Sequence, residues 1–421
     1  MNEYDSDRIR SAVGGMPVDS PEEADIVIVN TCAIRDKADQ KAFSGLGKYK
    51  HLKARKSDMI LGVAGCVAQL YGDRLLQKIP HLDFVLGPRA IPRLPELISR
   101  IEQAKERPVE TSYDVEELFE VEPYHKEGKV TAFVSVQQGC NKKCSYCIVP
   151  YVRGDEVNRP LAEILREAEN LVTKGVREIT FVGQTVNSWK ENGHKFGDLL
   201  RASADIDGLE RIRFTTSYPR DITKRMIDAM KDVDKVCRHI HLPVQSGSDR
   251  VLALMKRTYT REWFSDTVKR LKDAVPDLAI STDIIVGYPG ETDRDFEETM
   301  DLMREVEFES SFSFKFSPRP GTPAAERPKE ETVPDETAGA RLMELQALQK
   351  EITLRKNMER VGKTEEVLVE GPSKHDPESV SGRTSHNRIA NFRGPASLVG
   401  SVVRVRVSEG LSNSIRGELS V

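Results

Sequence analysis

The sequence predicts an α/β protein in three parts: a parallel α/β domain at the amino end, a partial six-stranded βα barrel in the middle, and a small β-barrel at the carboxyl end. Three observations carry that prediction. Short apolar runs alternate with helical stretches through the first hundred or so residues, the same alternation resumes after a polar stretch, and from Gly362 onward only strand-length runs remain. At 421 residues the chain exceeds one ordinary domain. Hydrophobic content of 38% and a mean hydropathy of −0.46 exclude a membrane class, and no apolar run approaches a bilayer span. Met1 to Asp5 lacks the basic start and apolar core of a secretory signal. Balanced charge, 63 basic against 67 acidic residues, gives a net −4, so any RNA surface must be local. Six cysteines, three of them clustered, suit a reducing compartment, and a cytoplasmic location is expected.

Residues 1–103 form the first expected domain. Ile26–Asn30, Met59–Ala64 and Asp83–Gly87 read as buried strands separated by helices. Two of them run into cysteines, Cys32 and Cys66, at the strand ends where open α/β sheets present their ligands. Taken alone, each could equally be a small buried apolar side chain. Residues 104–129, rich in Lys, Glu, Pro and Asp, read as a solvated linker.

Residues 130–357 form the second domain. Its strands are expected at Ala132–Val136, Ile179–Val182, Ile212–Thr215, His239–Leu242, Leu278–Val286 and Phe312–Phe316. Pro160 opens a helix whose apolar residues, from Leu161 to Val172, follow the helical repeat up to Gly175. In a βα barrel the chemistry sits at the carboxyl ends of the strands. There the sequence places Cys140, Cys144 and Cys147 after the first strand, then Gly183 and Gln184, Ser217, Gln245 with Ser246 and Gly247, and Gly287. Polar residues at strand ends are commonly caps and turns, but five consecutive ends of this kind favour a pocket. Cys237 reads as structural, and His239 and His241, which share a strand face, as packed side chains.

The first of these strands leads into Cys140-Asn141-Lys142-Lys143-Cys144-Ser145-Tyr146-Cys147, a CxxxCxxC loop. Three thiolates from one loop can hold an iron–sulfur cluster on three irons and leave the fourth iron open. A zinc site would need a fourth Cys or His, and the nearest flanking candidates are His125 and His194. Ligand chemistry favours iron–sulfur over zinc or free thiols.

Residues 360–421 form the third domain, with strands expected at Glu366–Val369, Ser379–Arg383, Arg388–Phe392, Ser401–Val407 and Ile415–Leu419. Arg383, Arg388 and Phe392 stand out there as two phosphate donors and a stacking ring. After the breaker-rich 318–334 stretch, Leu342, Leu345, Leu348 and Ile352 form the apolar stripe of a docked helix.

The cysteine loop, with Tyr146 before its third thiol, resembles the signature of radical S-adenosylmethionine (SAM) enzymes. Gln138–Gly154 followed by Asn158-Arg159-Pro160 resembles the methylthiotransferase branch of that superfamily. The strings Asn30–Ala38 and Gly65–Gln69, Gly183–Asn187, His241–Ser248, Gly287–Thr292 and Ser317–Thr322 are similar to further blocks of the same family, and Gly382–Arg388 resembles its TRAM RNA-binding module.

The resemblance implies two [4Fe-4S] clusters. One, on Cys140, Cys144 and Cys147, would bind SAM, with Tyr146, Gly183, Gln184, Ser217, Gln245 and Gly287 as candidates for holding the cofactor. The other, auxiliary cluster would use Cys32 and Cys66 and supply sulfur, while a second SAM gives the methyl group. The substrate implied is N(6)-dimethylallyladenosine beside the anticodon in the tRNA anticodon stem-loop, converted to its 2-methylthio derivative. The partners implied are tRNA and a low-potential electron donor such as flavodoxin or ferredoxin, for a monomer with no membrane. The family pattern also expects a strand ending in Gly-Cys-Gln before Met1 to Ser6. We therefore expect an upstream start, and read the chain as given as lacking one auxiliary ligand and impaired. Threonylcarbamoyladenosine in tRNA and an aspartate of a ribosomal protein are alternative substrates within the family. A non-catalytic iron–sulfur RNA-binding protein is the alternative outside it, distinguished by whether reduced protein cleaves SAM.

Overall fold

The computed structural model describes residues 1–34, 36–114, 118–374 and 376–420, and the side chains of 36–38 and 41 are left out of the description. The chain forms two compact units. One comprises residues 1–126, 138–157 and 317–326, and the other comprises 127–137, 158–316 and 327–421.

In the first unit the strands β1 (Ile26–Thr31), β2 (Ile60–Gly65), β3 (Phe84–Leu86) and β4 (Val109–Glu110) lie side by side in that order, all parallel. Alternation along β2 explains the two-sided core. Ile60 and Ala64 pack with Ile9, Phe84, Leu94 and Ile98 on one face, while Leu61 and Val63 pack with Leu46, Leu75 and Val85 on the other. Gly62 leaves room for the Phe84 ring, which a Cβ there would meet at 2.0 Å. Residues 104–129 supply β4 and more. Gln69 donates to the Thr111 carbonyl at 2.8 Å, and Arg8 donates to the carbonyls of Leu118 and Val121 at 2.5 and 3.1 Å.

In the second unit six parallel strands fall at the expected places. β5 (Thr131–Ser135), β6 (Glu178–Val182) and β7 (Arg211–Phe214) form one three-stranded sheet, and β8 (His239–His241), β9 (Ala279–Val286) and β10 (Ser310–Lys315) form another. A parallel bridge between Ile212 and Val236 joins the two sheets. Helices cross between the strands, and Thr292 opens one of them with a reciprocal cap to Asp295. Helix Asp335–Met358 packs on β10 and buries Leu345 and Ile352. No described helix is long and apolar enough to cross a membrane.

The carboxyl-terminal strands β11 (Thr364–Pro372), β12 (Ser379–Thr384), β13 (Ile389–Arg393), β14 (Val402–Gly410) and β15 (Ile415–Leu419) close a barrel in the order β11-β12-β13-β15-β14. Its core is Val367, Val369, Val380, Ala390, Phe392, Val405, Val407 and Ile415. This barrel is bonded to the rest of its unit through charged side chains. Arg211 donates to the carbonyls of Arg383 and Glu366, and Arg213 to those of Thr384 and Ser385. His386 sits 3.2 Å from Asp277 and 3.5 Å from Glu365, and Arg360 bridges the same two carboxylates.

Burial works against a charge on His386, but Asp277 and Glu365 outweigh it and raise the imidazole above its ordinary value. His386 and then Arg360 hold the Asp277 carboxyl well below the usual carboxylate range. A raised folded-state pKa contributes stability that is present below the unfolded value and lost as pH rises through the folded one. Urea unfolding of the second unit is therefore expected at a lower midpoint at pH 8.5 than at pH 6. His386→Gln should flatten that dependence, as read from unfolding curves of both proteins across the range.

Candidate functional site

Cys32 and Cys66 are brought together by strand register. Thr31 of β1 pairs with Gly65 of β2, and the two cysteines are the next residue on each strand. Each cysteine directly follows its strand, so both stand at the carboxyl edge of the sheet on neighbouring strand ends. Gly65 (φ 91) is needed there, because a Cβ would lie 2.4 Å from the Thr31 carbonyl oxygen. The Thr31 hydroxyl donates to Ala64 O at 2.6 Å and accepts from Val67 N–H at 3.2 Å, which fixes the start of helix Cys66–Tyr71. Burial pushes the Cys66 thiol up and Arg153 draws it back, while Cys32 is near enough for its charge to act on it too. Arg35, within the Asn30–Ala38 string, lies outside the described residues.

The cysteine loop belongs to this same unit. Cys140 is buried, and Cys144, Tyr146 and Cys147 are partly exposed. Gly139 (φ 80) permits the entry turn, since a Cβ would meet Asp155 O at 2.0 Å, and Cys140 N–H then donates to Gly154 O at 3.1 Å. A turn from Cys144 O to Cys147 N–H, 3.1 Å, sets the spacing of the last two thiols. Ser145 O accepts from Ala324 N–H at 2.9 Å, and Arg319 of that covering segment pairs with Asp39 at 2.5 Å, both side chains buried.

After the loop comes a short helix, Val149–Arg153. Ile148 and Val152 share one apolar cluster with Ala33, Ala42, Cys66 and Val67, so residues next to both sets of thiols pack on a common core. Arg89, buried just past β3, donates from Nε to Arg153 O at 2.7 Å, from Nη2 to Asp155 O and from Nη1 to Tyr113 O at 3.4 Å. Tyr113 in turn donates to Tyr151 O at 2.5 Å. Arg153 itself donates from Nε to Cys66 Sγ at 3.4 Å and from Nη2 to Asp5 Oδ2 at 2.5 Å. Burial opposes the Arg153 charge, yet Asp5 and Cys66 keep it firmly protonated. Asp5, Arg89 and Arg153 were not singled out by sequence reasoning; the visible signal was an arginine closing the segment after three clustered thiols.

The donor set fits iron–sulfur chemistry. Five thiols lie in one unit, and thiolate is the ligand such clusters take. The buried Arg153 Nη1 has no hydrogen-bond partner, a donor that a cluster sulfur or its ligand could satisfy.

In the second unit the other expected residues lie at strand ends. Gln137 Oε1 accepts from Gln184 N–H at 2.7 Å and from Thr185 N–H at 3.4 Å, and a Cβ at Gly183 would be 2.6 Å from that oxygen. Ser217 N–H donates to His241 O at 3.3 Å, and its buried hydroxyl has no partner. Gln245 takes a left-handed φ of 77 while bonded on both sides to β9. Gly287 (φ 71) donates to Glu291 Oε1 at 2.8 Å. His239 and His241 each lie 3.0 Å from the Ser281 hydroxyl, and His241 Nε2 lies 3.4 Å from Asp283. Burial and then Arg213 hold His239 well below its ordinary value, so it is a neutral packed side chain. Cys237 is buried, its thiol pushed up by burial.

The structure corrects two of the three RNA candidates. Phe392 is 2% exposed in the small barrel's core and has no face for a base. It shares its inward side with Ala390, an alternation visible in the sequence. The Arg388 guanidinium is turned inward, its Nη2 paired with Glu309 and its Nε donating to the Asn357 amide oxygen, so most of its charge is spent inside the unit although the residue lines the cavity described next. Arg383 remains 37% exposed, 3.4 Å from Glu370. With Lys350, Asn387 and the exposed Phe312 ring it lines a cavity of about 760 Å³.

Comparison with known proteins matches this layout. Residues 134–303 match the Radical SAM superfamily, 1–87 the Uncharacterized protein family UPF0004, and 359–420 the TRAM domain. A tRNA-2-methylthio-N(6)-dimethylallyladenosine synthase of Syntrophus aciditrophicus is 46% identical over 426 residues, covering 100% of this chain and 92% of that protein. One from Burkholderia thailandensis is 44% identical over 435 residues, covering 100% and 94%. The chain belongs to the methylthiotransferase family of radical SAM enzymes. Among solved structures, the radical SAM methyltransferase TsrM of Kitasatospora setae aligns with a TM-score of 0.59 at 16% identity, covering 76% of this chain and 74% of that one. At that identity the likeness concerns the fold. The methylthiotransferase family implies a [4Fe-4S] cluster and SAM as cofactors.

Arg89 is the support of the loop segment in this methylthiotransferase. Arg89→Ala would strip donors from three backbone carbonyls, two of them beside the segment's last helical residue. The expected cost is about 3 kcal/mol, since buried groups left unsatisfied cost roughly 1–3 kcal/mol each and part will be rehydrated. A fall in the urea midpoint of the first unit checks it.

Proposed function

We propose that the chain is a tRNA methylthiotransferase that converts N(6)-dimethylallyladenosine beside the anticodon to its 2-methylthio derivative. The observation that carries this reading is 44–46% identity, along the whole chain, to synthases of that name. Cys140, Cys144 and Cys147 would hold a [4Fe-4S] cluster with one iron open to SAM. Together the two would supply a 5′-deoxyadenosyl radical, a species able to take hydrogen from an unactivated carbon.

This chain's own residues bind, orient and exclude water. Gln137 holds the 183–185 backbone, while Gly183, Gln184, Ser217, Gln245 and Gly287 are the candidates for contacting SAM, with Tyr146 from the cysteine loop. Cys32 and Cys66, side by side at the sheet edge, would serve an auxiliary cluster as the sulfur source, with methyl from a second SAM. For the RNA, Arg383, Lys350, Asn387 and the Phe312 ring offer phosphate donors and a stacking face in one cavity. Single-stranded loop bases are the kind such a surface can reach. The partners under this reading are the tRNA anticodon stem-loop and a low-potential electron donor such as flavodoxin or ferredoxin, met by a monomer in the cytoplasm.

The test is anaerobic reconstitution with iron and sulfide, then reaction with SAM, a reductant and tRNA carrying the dimethylallyl base. Deoxyadenosine is expected by mass spectrometry, with 2-methylthio nucleoside in low yield because Cys32 and Cys66 are the two thiols proposed for the auxiliary site. Cys140→Ala should bring both to background, whereas Cys66→Ser should remove the methylthio product while deoxyadenosine still forms. Product only on threonylcarbamoyladenosine tRNA or on a ribosomal protein would overturn the substrate, and wild-type protein that makes no deoxyadenosine would overturn catalysis.

A further inference from the structure

Arg153 closes the helix that follows the CxxxCxxC loop, yet its side chain is spent on the other pair of thiols. Its Nε donates to Cys66 Sγ at 3.4 Å and its Nη2 to Asp5 at 2.5 Å, and the residue is 4% exposed. The third nitrogen, Nη1, is buried with no partner. The backbone is clamped as well, because Arg89 holds the Arg153 carbonyl and Val152 sits in the apolar cluster with Cys66.

An ion pair with Asp5 alone does not account for this arrangement. A lysine could neutralise Asp5, but only a planar guanidinium reaches a carboxylate and a sulfur at once from fixed directions. An arginine buried with one donor unsatisfied carries a cost unless something at the site accepts from it.

We propose that Arg153 is a positioning residue for the auxiliary cluster, its guanidinium donating to the Cys66 sulfur and placing a positive charge beside the cluster under the control of Asp5. The inference rests on the reading of Cys32 and Cys66 as ligands of that cluster. Hydrogen bonds to ligand sulfur and nearby charge set the reduction potential of an iron–sulfur cluster. A donor and a positive charge favour the reduced, more negative state and so raise the potential. Asp5 partly cancels that charge, so the two residues act with opposite sign.

The experiment is an electron paramagnetic resonance redox titration of the reconstituted full chain, with iron content measured beside it, for wild type, Arg153→Gln, Arg153→Lys and Asp5→Asn. Arg153→Gln should shift the auxiliary midpoint to a more negative potential, Arg153→Lys should shift it less, and Asp5→Asn should shift it to a more positive one. Because either single change leaves a buried charge unpaired, the double variant Asp5→Asn/Arg153→Gln is measured too, with a midpoint expected close to wild type. Single variants that both move the midpoint the same way, or leave it unchanged, overturn the inference while the ligand assignment stands. A double variant that holds its iron but stays as far from wild type as Arg153→Gln overturns it as well. If wild-type chain shows one cluster only, or Cys66→Ser loses no iron, the auxiliary-cluster reading falls and the inference with it.

Discussion

Arg153 and Asp5 are 148 positions apart and meet at 2.5 Å with both side chains buried. Neither charge could be there alone, because removing one partner from a buried pair leaves the other desolvated, a loss of about 3–5 kcal/mol. The pair therefore obliges the first helix and the segment after the cysteine loop to fold as one piece. With Arg89 bonded to the backbone on either side of Gly154, that requirement fixes where the loop begins and ends, and so where its thiols can be.

The sheet supplies the other half of the arrangement. Parallel strands β1 and β2 end on the same register, so Cys32 and Cys66 leave the sheet together. Helix Cys66–Tyr71 starts at the second of them, and its Val67 N–H is satisfied by the Thr31 hydroxyl. The apolar cluster of Ala33, Cys66, Val67, Ile148 and Val152 then packs against both sets of cysteine neighbours. The proposed cluster loops of this unit are individually short and irregular but are tied at their ends by buried charge and backbone bonding.

The second unit works differently. Several of its strands carry polar and glycine residues at their carboxyl ends, and at Gly183, Gly247 and Gly287 a Cβ would collide with a close neighbour. The small barrel is held to that scaffold by arginines donating to carbonyls and by the His386, Asp277, Glu365 and Arg360 cluster. Those bonds consume side chains that a sequence reader would give to RNA. Arg388 is the clearest case, its charge neutralised by Glu309 from an element 79 positions earlier.

By itself the sequence determined the fold class, all six strands of the central array and the five of the small barrel, and it singled out the five thiols proposed as cluster ligands. These are legible because each depends on local pattern: period-two or buried apolar runs, turn residues, and ligand spacing within one loop. Only the tertiary structure decided which charges are spent inside the molecule and which remain for a partner. Phe392 and Arg388 became core and ion pair, Phe312 and Arg383 kept exposed surface, and Val109–Glu110, within the stretch that reads as a linker, joined the first sheet. Arg153 next to Cys66 belongs to the same class, since no local pattern specifies a contact across 87 positions. Burial of a polar group is set by partners that the chain brings from far away, and a linear reading has no term for them.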